Sequence, residues 1–212
     1  MNAPIIVIGA GGHAKVVIDA LERGQETILG AVDIDPAKHG RSLLSVPVLG
    51  GEDVLNGHSA MSVLLVNAIG SIGDTEGRRS VFLRFKDRGY RFHTVVHPAA
   101  VVAGDVEIGE GSQIMAGAVV QAGTSIGANC IVNTRSSVDH DCRIGDHVHV
   151  APGSTISGGV TIDERCLVGA GATIIQGLAI GPQCVIGAGA AVISDIGAQT
   201  TVLGVPAKQV DR

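Results

Sequence analysis

The sequence predicts two units: an α/β unit over residues 1–95 and a parallel β-solenoid over residues 96–212. Three observations predict this. From Val96 to Val192 a Val or Ile returns every six residues, at all 17 positions and without a slip. A strand, a Gly-rich turn and a helix-periodic stretch open the chain. The charge also divides. Residues 96–197 hold nine acidic residues, three Arg and no Lys, whereas three of the four Lys precede residue 96.

A helix repeats at 3.6 residues and an amphipathic strand at 2, so a strict period of six calls for a stacked coil. Each hexapeptide reads as a short strand plus a corner. Its β-branched residue suits extended backbone and points inward. Four residues later a second inward position is often small: Ser112, Ala118, Thr124, Cys130, Ser136, Cys142, Ser154, Cys166, Ala172, Cys184 and Ala190. Three hexapeptides close a triangular coil of 18 residues, and coils stack at the strand spacing of roughly 4.8 Å. All four cysteines fall at this inward position, which reads as small core hydrophobes rather than nucleophiles or disulfides.

In chain order, Ile5–Ile8 reads as a strand and Gly9-Ala10-Gly11-Gly12-His13 as a turn. Val16, Val17, Ala20 and Leu21 continue at helical spacing. This is the opening of a Rossmann-like unit, whose turn presents N–H groups and a helix N-terminus to phosphate. A second strand over residues 28–32 ends at Asp33-Ile34-Asp35, where an acidic residue commonly takes a ribose hydroxyl. A third strand over 62–66 leads into Asn67–Ser71, and a helix is expected from about residue 75 to 88. About 95 residues are too few for the two-halved sheet of a dinucleotide dehydrogenase. A mononucleotide-linked ligand suits this unit better, and a turn that merely packs helix on strand is the plain structural alternative.

In the solenoid, Asn133, Asp139-His140-Asp141, Asp146-His147 and His149 are expected to decorate the outside, because Val138, Ile144 and Val150 occupy the inside. One coil before and after His140 stand Ala122 and Gly158, small enough to leave open floor beside an imidazole. His149 lies nine residues on, half a coil, and so on the far side of the prism. The two histidines can share a site only between neighbouring subunits. Simple surface histidines, or a metal held by His147 and His149 with Asp141 or Asp146, are the alternatives on residue pattern alone.

Gly11-Gly12-His13, the unbroken hexapeptides and the terminal Gly204-Val205-Pro206-Ala207-Lys208 together resemble the sugar acyltransferases of the PglD/NeuD type, over essentially the whole chain. The resemblance implies a left-handed parallel β-helix and a homotrimer with active sites between subunits. It implies acetyl-CoA as co-substrate, no metal, and N-acetylation of a UDP- or GDP-linked 4-amino-4,6-dideoxy sugar. A sialic-acid-type O-acetyltransferase, or a non-catalytic nucleotide-sugar binder, fits the same scaffold. By motif, the resemblance assigns Gly11, Gly12, His13, Asp33, Ile34, Asp35, Gly70 and Asn133 to the nucleotide sugar. It assigns His140 as general base with Asp141 as its partner, and His149, Gly158, Ala170, Ala188 and Lys208 to the acetyl-CoA side.

A net charge of −5 argues against nucleic acid as a partner. With no apolar run of membrane-spanning length and no signal-type start, the expectation is a cytoplasmic protein without a membrane partner.

Overall fold

The computed structural model describes residues 3–210. Its first unit is a mostly parallel sheet with strand order β3-β4-β2-β1-β5-β6. The strands are β1 (Ile5–Ile8), β2 (Ile28–Val32), β3 (Ser42–Leu43), β4 (Val46–Gly50), β5 (Leu64–Asn67) and β6 (Arg91–Phe92). Helix α1 (Gly12–Arg23) follows the Gly-rich turn and α2 (Glu76–Asp87) follows β5. The hydrophobic runs of β1 bury both faces, one against α1 and the other against α2, as a central parallel strand must. The chain turns one way from β1 to β2 and β4 and the other way to β5 and β6. The carboxyl edge between β1 and β5 is therefore a switch point, where open α/β sheets take ligands. The β3–β4 ribbon is an addition to the sequence reading: Pro47 and Gly50 in so short a run hid it.

The second unit is a three-faced parallel solenoid. Face 1 stacks the strands at 95–96, 113–114, 131–132, 149–150, 167–168 and 185–186. Face 2 starts at 101–102 and face 3 at 107–108, each repeating every 18 residues. From Ile114 to Val192 the Val/Ile column is buried throughout, each such side chain contributing roughly 1.5–3 kcal/mol. The first coil departs from the inward expectation. Val96 is 43% exposed, because no coil lies beneath it to close the core.

The second inward position does more than save space. Ser112 Oγ donates to Gly127 O at 2.6 Å, Thr124 Oγ1 to Asp139 O at 2.8 Å and Ser154 Oγ to Gly169 O at 2.9 Å. Cys130, Cys142 and Cys166 make the same bond through Sγ, to the carbonyl 15 residues on, at 3.1–3.2 Å. Apart from Gly169 O, which also accepts the Ala172 N–H at 3.1 Å, these corner carbonyls have no other partner among the described residues and would otherwise be orphaned. Burial pushes the Cys130 and Cys166 thiols up to about 12, so they stay protonated donors.

Three residues after each Val or Ile the corner requires a positive φ. Between residues 111 and 189 this position recurs every sixth residue without exception. Most of these are Gly, but Asn129, Arg135, Asp141, His147, Arg165 and Gln183 also adopt it, each against a steric cost of about 1–2 kcal/mol.

The two units share an interface built on α2, which lies along the corner between faces 3 and 1. Glu76 meets Arg165 at 2.8 Å, Phe82 packs against His147, and Lys86 holds Glu110 at 2.7 Å. Ten residues of helix rise about 15 Å, and the three coils separating those solenoid positions rise about 14 Å. Arg78, 2% exposed, secures the joint. Its guanidinium donates to Asn67 O, Ile69 O, Asn129 O and Gly111 O at 2.5–3.4 Å. Burial lowers its pKa to about 9, so it is charged at neutral pH.

Replacing Arg78 with Met removes the side-chain donor from the Ile69, Gly111 and Asn129 carbonyls, while Asn67 O keeps only Gln113 Nε2. We expect a loss of about 2–3 kcal/mol in denaturant unfolding. Arg78→Lys should restore only part, since one ammonium cannot span carbonyls from both units.

Candidate active site

A cleft of about 810 Å³ opens at the carboxyl edge of the sheet, where it meets face 1 of the solenoid. It is lined by Gly11, Gly12, His13, Asp33, Ile34, Gly70, Asn133 and His149, all expected from the sequence. Ser71, Lys38, Glu52 and Arg84, which were not expected, line it too. The turn before α1 leaves open space: a Cβ at Gly11 or Gly12 would meet no atom within 4 Å. Asp33 organises this edge. Burial pushes its carboxyl pKa up, but the Lys38 ammonium and the N–H groups of Asp35 and Ala10 outweigh that and hold it below the usual range. Three donors occupy three of about four acceptor sites on the carboxylate, leaving one for a ligand hydroxyl.

Two expectations change here. Asp35 does not line the cleft. Its carboxylate accepts the Ala37 N–H and caps the short 3-10 helix Pro36–Lys38. His149, expected on the exposed exterior, is instead 7% exposed within the cleft wall. It does point out of the prism, but the first unit covers face 1 and buries it. The same covering buries His147 to 8% exposure.

The hydrogen bonds fix the proton positions of both cleft histidines. Gln113 Nε2 donates to Asn67 O at 2.7 Å, so its Oε1, 2.8 Å from His13 Nε2, accepts. His13 thus carries its proton on Nε2 and keeps a bare Nδ1. Asn133 Oδ1 accepts the Thr134 N–H, so its Nδ2 donates to His149 Nε2 at 3.2 Å. Burial drives the two ring pKa values down, to about 4 for His13 and about 3 for His149. His149 is therefore neutral with its proton on Nδ1, and that buried N–H has no partner among the described residues. Ser71 Oγ is likewise buried and unpaired among them. Both orphans belong to residues that line one cleft, and an oxygen-rich ligand would satisfy them.

His140 lies elsewhere, at the corner between faces 2 and 3, opposite face 1. Its side chain is 62% exposed, and Nδ1 lies 2.8 Å from Asp141 Oδ2. That hydrogen bond, with the charge of Asp139, raises the imidazole pKa. The ring rests directly on Gly158: a Cβ there would stand 2.5 Å from His140 Nε2. Asp141 sits at a positive-φ corner and leans over Gly123, where a Cβ would stand 2.5 Å from its Oδ1. Bare glycines above and below thus make room for the dyad. Ala170 and Ala188 are exposed on the corner between faces 1 and 2, and Lys208 is exposed on the tail strand Lys208–Val210, which pairs with Thr201–Leu203. One chain therefore carries a cleft, a His–Asp dyad and a small-residue corner that do not meet. Among the described residues no group of three or more His, Cys, Asp or Glu is placed to hold a metal, and no helix is long and apolar enough to cross a membrane.

Residues 4–85 match the model of the PglD N-terminal domain, residues 123–158 the bacterial transferase hexapeptide repeats, and residues 159–194 the hexapeptide repeat of succinyl-transferase. Among solved structures, the acetyltransferase domain of PglB from Neisseria gonorrhoeae is 36% identical, with TM-score 0.89, over 99% of this chain and 100% of that one. PerB from Caulobacter crescentus, solved with CoA and GDP-perosamine, is 38% identical, with TM-score 0.90, over 100% and 99%. WeeI from Acinetobacter baumannii is 30% identical, with TM-score 0.86, over 97% and 99%. With a PglD-type first unit, an unbroken hexapeptide solenoid and full-length relatives of this kind, the chain belongs to the PglD-type hexapeptide-repeat sugar acetyltransferases.

Proposed function

We propose that the protein transfers the acetyl group of acetyl-CoA to the amine of a nucleotide-linked 4-amino-4,6-dideoxy sugar, in the cytoplasm, as a homotrimer. The observation that carries this reading is the separation of cleft and dyad. The cleft can hold a nucleotide sugar, yet His140 stands on the corner opposite it. A second copy that brings its dyad to this cleft completes the site, and three such contacts close a ring. The Caulobacter relative, solved with CoA and GDP-perosamine, supports the substrate pair, and the Neisseria domain has been solved with acetyl-CoA.

In this reading Gly11, Gly12 and the N-terminus of α1 receive the diphosphate, and Asp33 offers its open acceptor site to the ribose. Asn133 and the His149 N–H face the sugar end. The sugar amine attacks the thioester carbonyl, His140 Nε2 takes its proton, and the C–S bond breaks to release CoA. Asp141 holds the His140 tautomer and stabilises the imidazolium. The Gly158 N–H, without an acceptor among the described residues, is aimed to hold the oxyanion. Ala170 and Ala188 give the pantetheine arm a smooth wall, and Lys208 offers a cation to a CoA phosphate.

Incubation with acetyl-CoA and a panel of UDP- and GDP-linked amino sugars should release free thiol, and His140→Ala should lower turnover by about 10²–10⁴-fold. Acetylation confined to a sugar hydroxyl would overturn the reading.

The pH profile follows from the raised His140 pKa. The base is free above that pKa, so kcat/KM should fall as pH drops through a midpoint above the ordinary value of about 6.5. Asp141→Asn removes the cause of the shift and should move this limb to lower pH as kcat falls.

Gly158→Ala tests the floor beneath the ring. Gly158 lacks a positive φ, so Ala suits its backbone, but the new Cβ must displace the imidazole. We expect turnover to drop by about 10²-fold with the melting temperature and both KM values nearly unchanged.

A further inference from the structure

The cleft has a direction. Along the carboxyl edge the strands follow in the order β5, β1, β2, β4. The β5 end touches the solenoid, through Asn67 to Gln113 and Asn129, and there the cleft is closed by Asn133 and His149. Three strand spacings away, about 14 Å, β4 ends at Gly50 and Glu52 follows it into the lining. On the proposed reading the amino sugar occupies the solenoid end. The diphosphate then lies over the turn after β1, the ribose beside Asp33 after β2, and the base beyond it, at Glu52.

That far end has a defined chemistry. Glu52 Oε1 is held by Arg84 Nη2 at 2.5 Å, which leaves Oε2 with no side-chain partner among the described residues. The carboxylate is 23% exposed, and Ile34, 83% exposed, offers an apolar surface beside it. No Phe, Tyr or Trp lines the cleft among the described residues, so base identity must be read by polar edges rather than by stacking. An ionised carboxylate only accepts. It matches two adjacent donors on one edge, with an acceptor next to them for the neighbouring guanidinium. Guanine presents that set as its N1–H, its 2-amino group and O6. Uracil presents a single N–H between two carbonyl oxygens, one of which would face the carboxylate. Adenine and cytosine lack the ring N–H altogether.

We infer that Glu52, held by Arg84, is a specificity-determining residue that selects a guanine nucleotide. The inference rests on the nucleotide-sugar reading of the cleft and adds to it the identity of the base.

Isothermal titration of the full chain with GDP, IDP and UDP tests it, because IDP differs from GDP only in lacking the 2-amino group. GDP should bind about 10- to 100-fold more tightly than IDP, the range for a hydrogen bond to a charged group, and more tightly than UDP. Glu52→Gln should bring the GDP-to-IDP ratio close to one, weakening GDP more than IDP, which loses only the contact to its N1–H. Glu52→Ala, which also frees Arg84, should do the same. Equal GDP and IDP affinities in the unmodified protein, tighter UDP binding, or an unchanged ratio in both variants would overturn the inference while leaving the cleft a nucleotide site. Failure of all three nucleotides to bind would instead remove the nucleotide-sugar reading itself.

Discussion

Everything in this molecule depends on register between coils. Parallel strands bonded 18 residues apart place each side chain directly over its counterpart in the coil below, so every corner of the prism becomes a column. One column must be Val or Ile to fill the core. The next must be small, and is better for carrying a proton donor, because the corner carbonyl above it faces inward. A third must turn through positive φ. The dyad exploits this stacking. His140 needs a floor, and the column supplies Gly158 at that level; Asp141 needs clearance, and the column supplies Gly123.

The same constraint explains how an acidic, aromatic-poor chain builds a polar site. Columns that face outward are free of packing demands, and face 1 carries Gln113 and His149 two levels apart, with Ile131 between them. Docking of the α/β unit converts that stripe from surface to interior. The two histidines are thereby dehydrated, neutral and fixed in opposite tautomers. A substrate entering the cleft meets a bare acceptor on His13 and an unsatisfied donor on His149, with no proton rearrangement needed.

Much of this was legible in the sequence, and the illegible part has a common cause. The Val/Ile column, the small inward column, the Gly-rich turn and the bare positions around His140 all follow from spacing within one unit. The helix expected over 75–88 is observed at Glu76–Asp87. What spacing did not reveal depends on contacts between units. The burial of His147 and His149 requires knowing that the first unit covers face 1. Arg78, 51 residues from Asn129, reads in sequence as one more exposed helix cation. Glu52 and Ser71 lie in loops whose place in the cleft follows from strand order. Acidic residues at the end of β2 look alike in sequence, but Asp33 turns inward and Asp35 caps the next turn.

The match between α2 and the solenoid corner has a further consequence. Because ten helical residues rise as far as three coils, α2 acts as a gauge for the lower part of the prism. A whole coil inserted between Glu110 and Arg165 would preserve every column yet move one anchor out of reach of Glu76 or Lys86. The stretch beside the cleft is thus locked in length by a helix outside it.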